Sequence, residues 1–266
     1  MYDSEWDFFT RHEPPTRRYI LATMPRAGST LCSIRLWQTG LLGAPLEYLN
    51  FGLARGLFER LGYPVAEIRK DAGRVAGYWR NLQCLRSSPN GVFGCKVFVT
   101  NLTYMANQVP DFLQCIRPTH VIYLTRADIV GQAISYSRAQ RSSAWFGGAR
   151  SVCAPEYDFE HVRSCLLSLC GQMAVWERLF KSWGVSPLRV YYEQVCTRPR
   201  WIVHAVAGHL DVALDAAAKM SMPLLVRQAD RTSDAWRTKF ERDAAHHEHA
   251  LVEPVHVCAE QDMPIA

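Results

Sequence analysis

Two rhythms of apolar residues alternate along the chain. Tyr19-Ile20-Leu21-Ala22 is a short continuous apolar run. So are residues 92–99, with one charge (Lys96) near the middle, residues 120–125, ended by Arg126, and residues 188–192, with one charge at Arg189. Runs this short, bounded by turn residues, read as buried strands. Helical spacing fills the intervals. Leu31, Ile34 and Leu36 point one way in a helix from Ser29 to about Thr39, stopped by Gly40. Residues 51–61 and 65–87 are predicted helical, the second from Val65, Ile68, Ala72, Val75, Trp79, Leu82 and Leu85. A short helical piece covers roughly 101–114. Asp128 is placed to cap a helix running to about Arg141, and Asp158 one running to Trp183 before Gly184. Further helices are expected at 198–210 and 234–245, and a short helix or arm at 4–11 ended by Pro14-Pro15. Strands alternating with helices predict an α/β domain, with a central parallel sheet flanked by helices and a ligand at the strands' C-terminal ends.

The expected organisation is one domain over 1–266, with an N-terminal arm at 1–17, an aperiodic loop at 142–157 and a loose tail at 247–266. A loop of that length in a compact domain is usually a functional lid or a mobile segment. Neither repeats nor low-complexity tracts interrupt the chain.

Composition narrows the partners. The formal net charge of +5 suits anionic small ligands, and no Lys/Arg-rich run marks a nucleic-acid surface. No apolar run reaches membrane-spanning length, and the acidic, aromatic start Met1-Tyr2-Asp3-Ser4-Glu5-Trp6-Asp7 is unlike a signal peptide. The nine cysteines form no C-x-x-C pair and fall mostly in apolar stretches, as reduced thiols of a cytoplasmic protein do. His246, His247 and His249 with Glu248 are better read as a solvated helix end than as a metal site, so no metal is expected.

The first strand leads into Met24-Pro25-Arg26-Ala27-Gly28-Ser29-Thr30 and then a helix. Strand, glycine turn, hydroxyls and helix form an arrangement that holds a phosphate through backbone N–H groups. Arg26 can add a charge-assisted contact. The Lys of an ATP-binding P-loop is missing after Gly28, which argues against ordinary phosphoryl transfer. A second element, Thr125-Arg126-Ala127-Asp128 through Ser135-Tyr136, sets an Arg at a strand end and a Ser two turns into the next helix. Two such elements suggest a ligand with two separated phosphates. Taken singly, each has a plainer reading: Arg126 as an ion pair with Asp128, Ser135 as a packing residue.

These residues carry a resemblance. Met24 to Leu31 resembles the 5′-phosphosulfate loop of sulfotransferases that use 3′-phosphoadenosine-5′-phosphosulfate (PAPS), and Arg126 with Ser135 resembles their 3′-phosphate motif. Residues 190–195, followed by Pro199, Val203 and Val206, resemble their strand-plus-helix segment. More specifically, the chain resembles the bacterial trehalose 2-sulfotransferase family. The shared pieces are Gly43-Ala44-Pro45-Leu46-Glu47-Tyr48, residues 90–96, residues 132–139 and residues 227–236. The likeness spans about 18 to 243.

The resemblance implies a sulfotransferase fold with a P-loop-type sheet and PAPS as co-substrate, released as PAP. It implies that Arg26, Ala27, Gly28, Ser29 and Thr30 hold the 5′-phosphosulfate, and that Arg126 and Ser135 hold the 3′-phosphate, with Arg227 and Gln228 closing over it. Lys96 falls on the strand that brings a Lys to the transferring group, Glu47 matches the general base, and Arg26 with the loop N–H groups stands where negative charge builds on the bridging oxygen as PAP leaves. The implied acceptor is a sugar or glycolipid hydroxyl. Residues 142–157 would serve as an acceptor-side lid or, in a homodimer, as dimer contacts. Two departures bear on the acceptor: Ala44 replaces an acidic residue of the trehalose enzyme, and Pro25 replaces a Gln. A site that loses hydrogen-bonding groups changes its sugar, so donor use is expected to persist and trehalose use is not. The rival readings are a P-loop kinase or NTPase, and a non-catalytic PAP-binding protein on the same fold.

Overall fold

The computed structural model describes residues 1–8, 14–64, 71–109, 112, 116–143, 145, 155–214 and 231–247. They group into two compact units.

The first unit comprises the described residues of 1–23, 28–125 and 176–223. It holds a four-stranded, wholly parallel sheet built from β1 (Arg17–Thr23), β2 (Val92–Phe98), β3 (His120–Thr125) and β4 (Leu188–Tyr191), in the order β2-β1-β3-β4. β1 lies centrally, with Leu21 opposite Lys96 on one side and Ile122 on the other. β1, β2 and β3 are buried on both faces, which is why they read as continuous apolar runs and not as alternating ones. Around them pack α1 (Ser29–Gln38), α2 (Arg55–Arg60), α3 (Ala72–Arg86), α4 (Val99–Gln108), α7 (Tyr192–Thr197) and α8 (Pro199–His209). The fully buried Trp176 donates its indole N–H to the Thr23 carbonyl at 3.0 Å, which secures the C-terminal end of β1. The expected α/β fold with a central parallel sheet is the one observed.

The second unit comprises the described residues of 24–27, 126–175 and 224–266. It contains α5 (Ile129–Ser142), the part of α6 (Phe159–Trp183) up to Val175, and α9 (Arg231–His246). Asp128 caps α5 as expected, accepting from the Gly131 N–H at 2.9 Å. Ring contacts hold its helices, with Tyr157 edge-on to Trp236 and Phe159 against Phe240.

Several boundaries differ from the periodicity. Residues 51–54 are turn, so the helix expected from 51 begins at Arg55. The piece expected over 101–114 runs instead from Val99 to Gln108. Its start shifts because β2 passes straight into it at Phe98, and it ends because Val109 is extended ahead of a proline. Among the described residues of the N-terminal stretch, Ser4–Trp6 form a single 3₁₀ turn, and residues 9–11 lie outside the described residues. α7 was not expected. Its capping box, in which the Gln194 side chain accepts from the Tyr191 N–H at 2.9 Å, starts a helix directly at the end of β4. Residues 65–70, most of 142–157 and the tail from 248 lie outside the described residues.

Candidate active site

Within the first unit the site begins at Gly28. Its φ of 75° is left-handed, and it N-caps α1 without a side chain, with no acidic residue in the first turn. The α1 N–H groups are therefore left for an external acceptor. Gly28 is required twice over, because a Cβ there would lie 2.2 Å from the Tyr192 ring. Tyr192 thus packs α7 directly over the turn. Gly28→Ala is expected to lower the unfolding midpoint by at least about 2 °C, since a left-handed alanine alone costs about 1–2 kcal/mol. Thermal unfolding of the variant checks this, and an unchanged midpoint would mean that the turn is not held as described.

Glu47 belongs to a loop that leaves the far end of α1, so it has to return along the sheet. Gly43 makes that return possible: its φ is 70° and a Cβ would meet the Val92 carbonyl oxygen at 2.9 Å. The loop then runs beside β2 as a single parallel bridge between Leu46 and Cys95, with the Lys96 N–H donating to the Leu46 carbonyl at 2.9 Å. Ser33 of α1 donates to the Pro45 carbonyl at 2.5 Å, and the Tyr48 hydroxyl donates to the Ala44 carbonyl. These bonds carry Glu47 to Lys96. Lys96 Nζ lies 2.9 Å from Glu47 Oε1 and 3.4 Å from Thr30 Oγ1, with the Lys96 side chain 2 % and that of Glu47 10 % exposed. Asn50 donates to Glu47 Oε2 at 3.1 Å. A continuous path therefore runs from a nearly buried carboxylate, through an ammonium, to the first turn of α1. Each carboxylate oxygen keeps a lone pair for a further donor.

Within the second unit, the Ala27 N–H donates to the Met24 carbonyl at 3.3 Å, closing a turn that puts Arg26 at a left-handed φ of 67°. A left-handed non-glycine residue stores about 1 kcal/mol or more and is common at functional sites. Gln132 of α5 holds the turn through the Pro25 carbonyl at 2.7 Å. Arg26 then reaches Ser135, its Nε donating to the hydroxyl at 2.9 Å, and Nη1 donates to the Trp145 carbonyl at 2.6 Å. Arg126 pairs with Asp128 at 3.2 Å, as its plainer reading has it. Asp128 also holds Arg237 of α9 at 2.5 Å. Burial alone would raise the Asp128 carboxyl. The Arg237 hydrogen bond, the Gly131 N–H and the two guanidinium charges instead keep it below the usual carboxylate value. Arg126 and Arg237 are so held on one carboxylate beside the start of α5.

All of the proposed site residues are described except Arg227 and Gln228. Glu47, Lys96 and Thr30 come together, as do Arg26 and Ser135. Ala27 is fully buried. Ala44, in the same loop as Glu47, is also fully buried. Two residues escaped the sequence reading. Tyr192 was noted only as part of a strand segment, and Arg237 follows Trp236 at the edge of the last shared piece. Neither has a local signal, because both act across long sequence separations. Among the described residues no group of His, Cys, Asp and Glu could hold a metal, and no helix is long and apolar enough to cross a membrane.

Comparison with known proteins fits this geometry. The family described as Stf0 sulphotransferase matches residues 18–243. The trehalose 2-sulfotransferase of Mycolicibacterium smegmatis is 30 % identical over 261 residues, covering 86 % of this chain and 96 % of that protein. That of Mycobacterium tuberculosis is 24 % identical over 258 residues with the same coverage. The sulfotransferase domain of the Synechococcus PCC 7002 olefin synthase has a TM-score of 0.50 at 17 % identity, covering 95 % of this chain and 98 % of its own, and shares the fold.

Proposed function

Because the chain belongs to the Stf0 sulphotransferase family, we propose that it transfers the sulfuryl group of PAPS to a hydroxyl of a sugar or glycolipid and releases PAP. The observation that carries this is the Glu47–Lys96–Thr30 path, which ties a carboxylate to the uncapped N-terminus of α1. That N-terminus suits a phosphosulfate, since its N–H groups and positive dipole end lack an internal counter-charge. Gly28, Ser29 and Thr30 take the 5′-phosphosulfate with Arg26 and Ala27. Arg126 and Ser135 take the 3′-phosphate, with Arg227 and Gln228, and Arg237 is a further cation for it.

The chemistry assigned to these residues balances simply. The acceptor oxygen forms a bond to sulfur as the bond from sulfur to the bridging oxygen breaks, and the electron pair leaves with PAP. Glu47 takes the acceptor proton. Lys96 and the α1 N–H groups oppose the negative charge that grows on the bridging oxygen. No metal is needed for this role. The trehalose 2-sulfotransferase relatives support a sugar acceptor, while Pro25, in place of a hydrogen-bonding residue, argues for a sugar other than trehalose. A homodimer is part of the same reading.

Thermal shift tests the donor assignment. PAP is expected to raise the melting temperature more than ATP with magnesium does, because a ligand bound by the native state alone stabilises it in proportion to its affinity. A larger shift with ATP, accompanied by ATP hydrolysis, would favour the kinase or NTPase reading.

A further inference from the structure

Within the second unit, one buried amide ties the turn that carries Arg26 to α5. Gln132 is fully buried, and its Nε2 donates to the Pro25 carbonyl at 2.7 Å. A carbonyl oxygen can only accept, so the amide nitrogen has to face it, and Oε1 turns the other way into the interior. Among the described residues Oε1 meets no donor. A buried acceptor left unmade is costly, and the loss offsets most of what the bond to Pro25 gains. An apolar side chain of the same length would fill the same space without that cost. Stability alone is therefore not what this amide supplies.

What it supplies is a hold on a strained turn. Arg26 sits at a left-handed φ of 67°, and the bond that closes its own turn, from the Ala27 N–H to the Met24 carbonyl, is long at 3.3 Å. Gln132 adds a shorter bond from outside the turn, at the residue just before Arg26. Three residues further along α5, and so on the same face, the Ser135 hydroxyl accepts from Arg26 Nε at 2.9 Å. α5 thus grips the segment twice, by the backbone at Pro25 and by the guanidinium at Arg26. With the backbone grip gone, the strain favours release of Arg26 from the left-handed region, and its guanidinium leaves with it.

We propose that Gln132 is a positioning residue for Arg26: by donating to the Pro25 carbonyl, it holds the backbone in the conformation that aims the guanidinium at the 5′-phosphosulfate. The inference rests on the reading of Arg26 as a donor-binding residue. Gln132 acts through Arg26 and not on the reacting atoms. A side chain misplaced by an ångström can cost a large factor in rate even when every reacting group is present.

The test measures PAP affinity, thermal unfolding and steady-state kinetics with PAPS and the best acceptor found. The full chain is compared with Gln132→Met, Gln132→Glu, Arg26→Ala and the Gln132→Met, Arg26→Ala double variant. Gln132→Met keeps the length of the side chain and removes the donor and the orphaned acceptor together. Its PAP affinity and its kcat/KM for PAPS are each expected to fall about threefold to tenfold, the factor one hydrogen bond is worth. Its melting temperature is expected not to fall, because the lost bond and the removed orphan offset each other. In the Arg26→Ala background the same change should cost nothing further, since it acts through Arg26. Gln132→Glu can donate to the Pro25 carbonyl only when protonated, so its rate relative to the unaltered protein at the same pH should approach unity as the pH falls. Wild-type PAP affinity in Gln132→Met, losses that persist in the Arg26→Ala background, or a Gln132→Glu rate equally low at every pH would overturn the proposal while leaving the Arg26 assignment standing. Wild-type PAP binding and transfer in Arg26→Ala alone would instead remove the assignment on which it rests.

Discussion

Glu47→Gln is expected to lower kcat for sulfuryl transfer by about 10²–10⁴-fold, the usual worth of a positioned general base, while PAP affinity stays within about twofold. The amide keeps the size of the side chain but only one acceptor oxygen, so Lys96, now 2.9 Å from Oε1, can keep a partner while the Asn50 amide, now 3.1 Å from Oε2, loses its acceptor. What is lost is the ability to take a proton and the charge opposite Lys96, so some loss of thermal stability accompanies the loss of rate. Because the α1 N-terminus and its Gly28 turn do not contact the changed atoms, donor binding should survive. Parallel loss of PAP binding and transfer would show that Glu47 holds the site together and does not act as the base.

Lys96→Met has the second large effect, and it acts on the fold as well as the reaction. The Lys96 side chain is 2 % exposed and faces a carboxylate that is itself nearly buried. Removing one partner of such a pair leaves an uncompensated charge and costs about 3–5 kcal/mol. At this chain length that lowers the melting temperature by about 6 °C or more. Pairing the change with Glu47→Leu removes both charges and should restore most of the stability, since an apolar pair of similar volume is tolerated in place of a buried ion pair. Transfer should not return in that double variant. Thermal unfolding and labelled-donor assays of the three proteins separate the two effects. A Lys96→Met enzyme of wild-type stability would mean that water reaches the pair far more freely than its burial implies.

The strands and the glycine turn that opens α1 were legible because each rests on local signals. β1, β2 and β3 are short apolar runs with turn residues at their ends, and Gly28-Ser29-Thr30 opens a helix whose apolar positions keep helical spacing. Asp128 as a cap was legible for the same reason. The partners of the site residues were not. Glu47 reaches Lys96 only because Gly43 lets the loop approach the Val92 carbonyl, a contact between residues about fifty apart, and periodicity carries no such information. Arg26 was assigned to the phosphosulfate alone, yet its side chain engages Ser135, more than one hundred residues away. Arg237 and Tyr192 act at similar separations. α7 was missed because Tyr192 to Thr197 is too short for a period, and its start is set by a side-chain cap. In each case the local pattern named the residue type suited to an anion or a proton, and packing across the fold decided which partner it met.

The account stands most directly on transfer of radioactive sulfur from PAPS into a fractionated extract of sugars and glycolipids, by the unaltered protein and by Glu47→Gln in parallel. The predicted result is one labelled carbohydrate product, formed in step with PAP, by the unaltered protein and not by Glu47→Gln although both bind PAP. Binding of PAP with no labelled acceptor in any fraction, or equal labelling by both proteins, would contradict it.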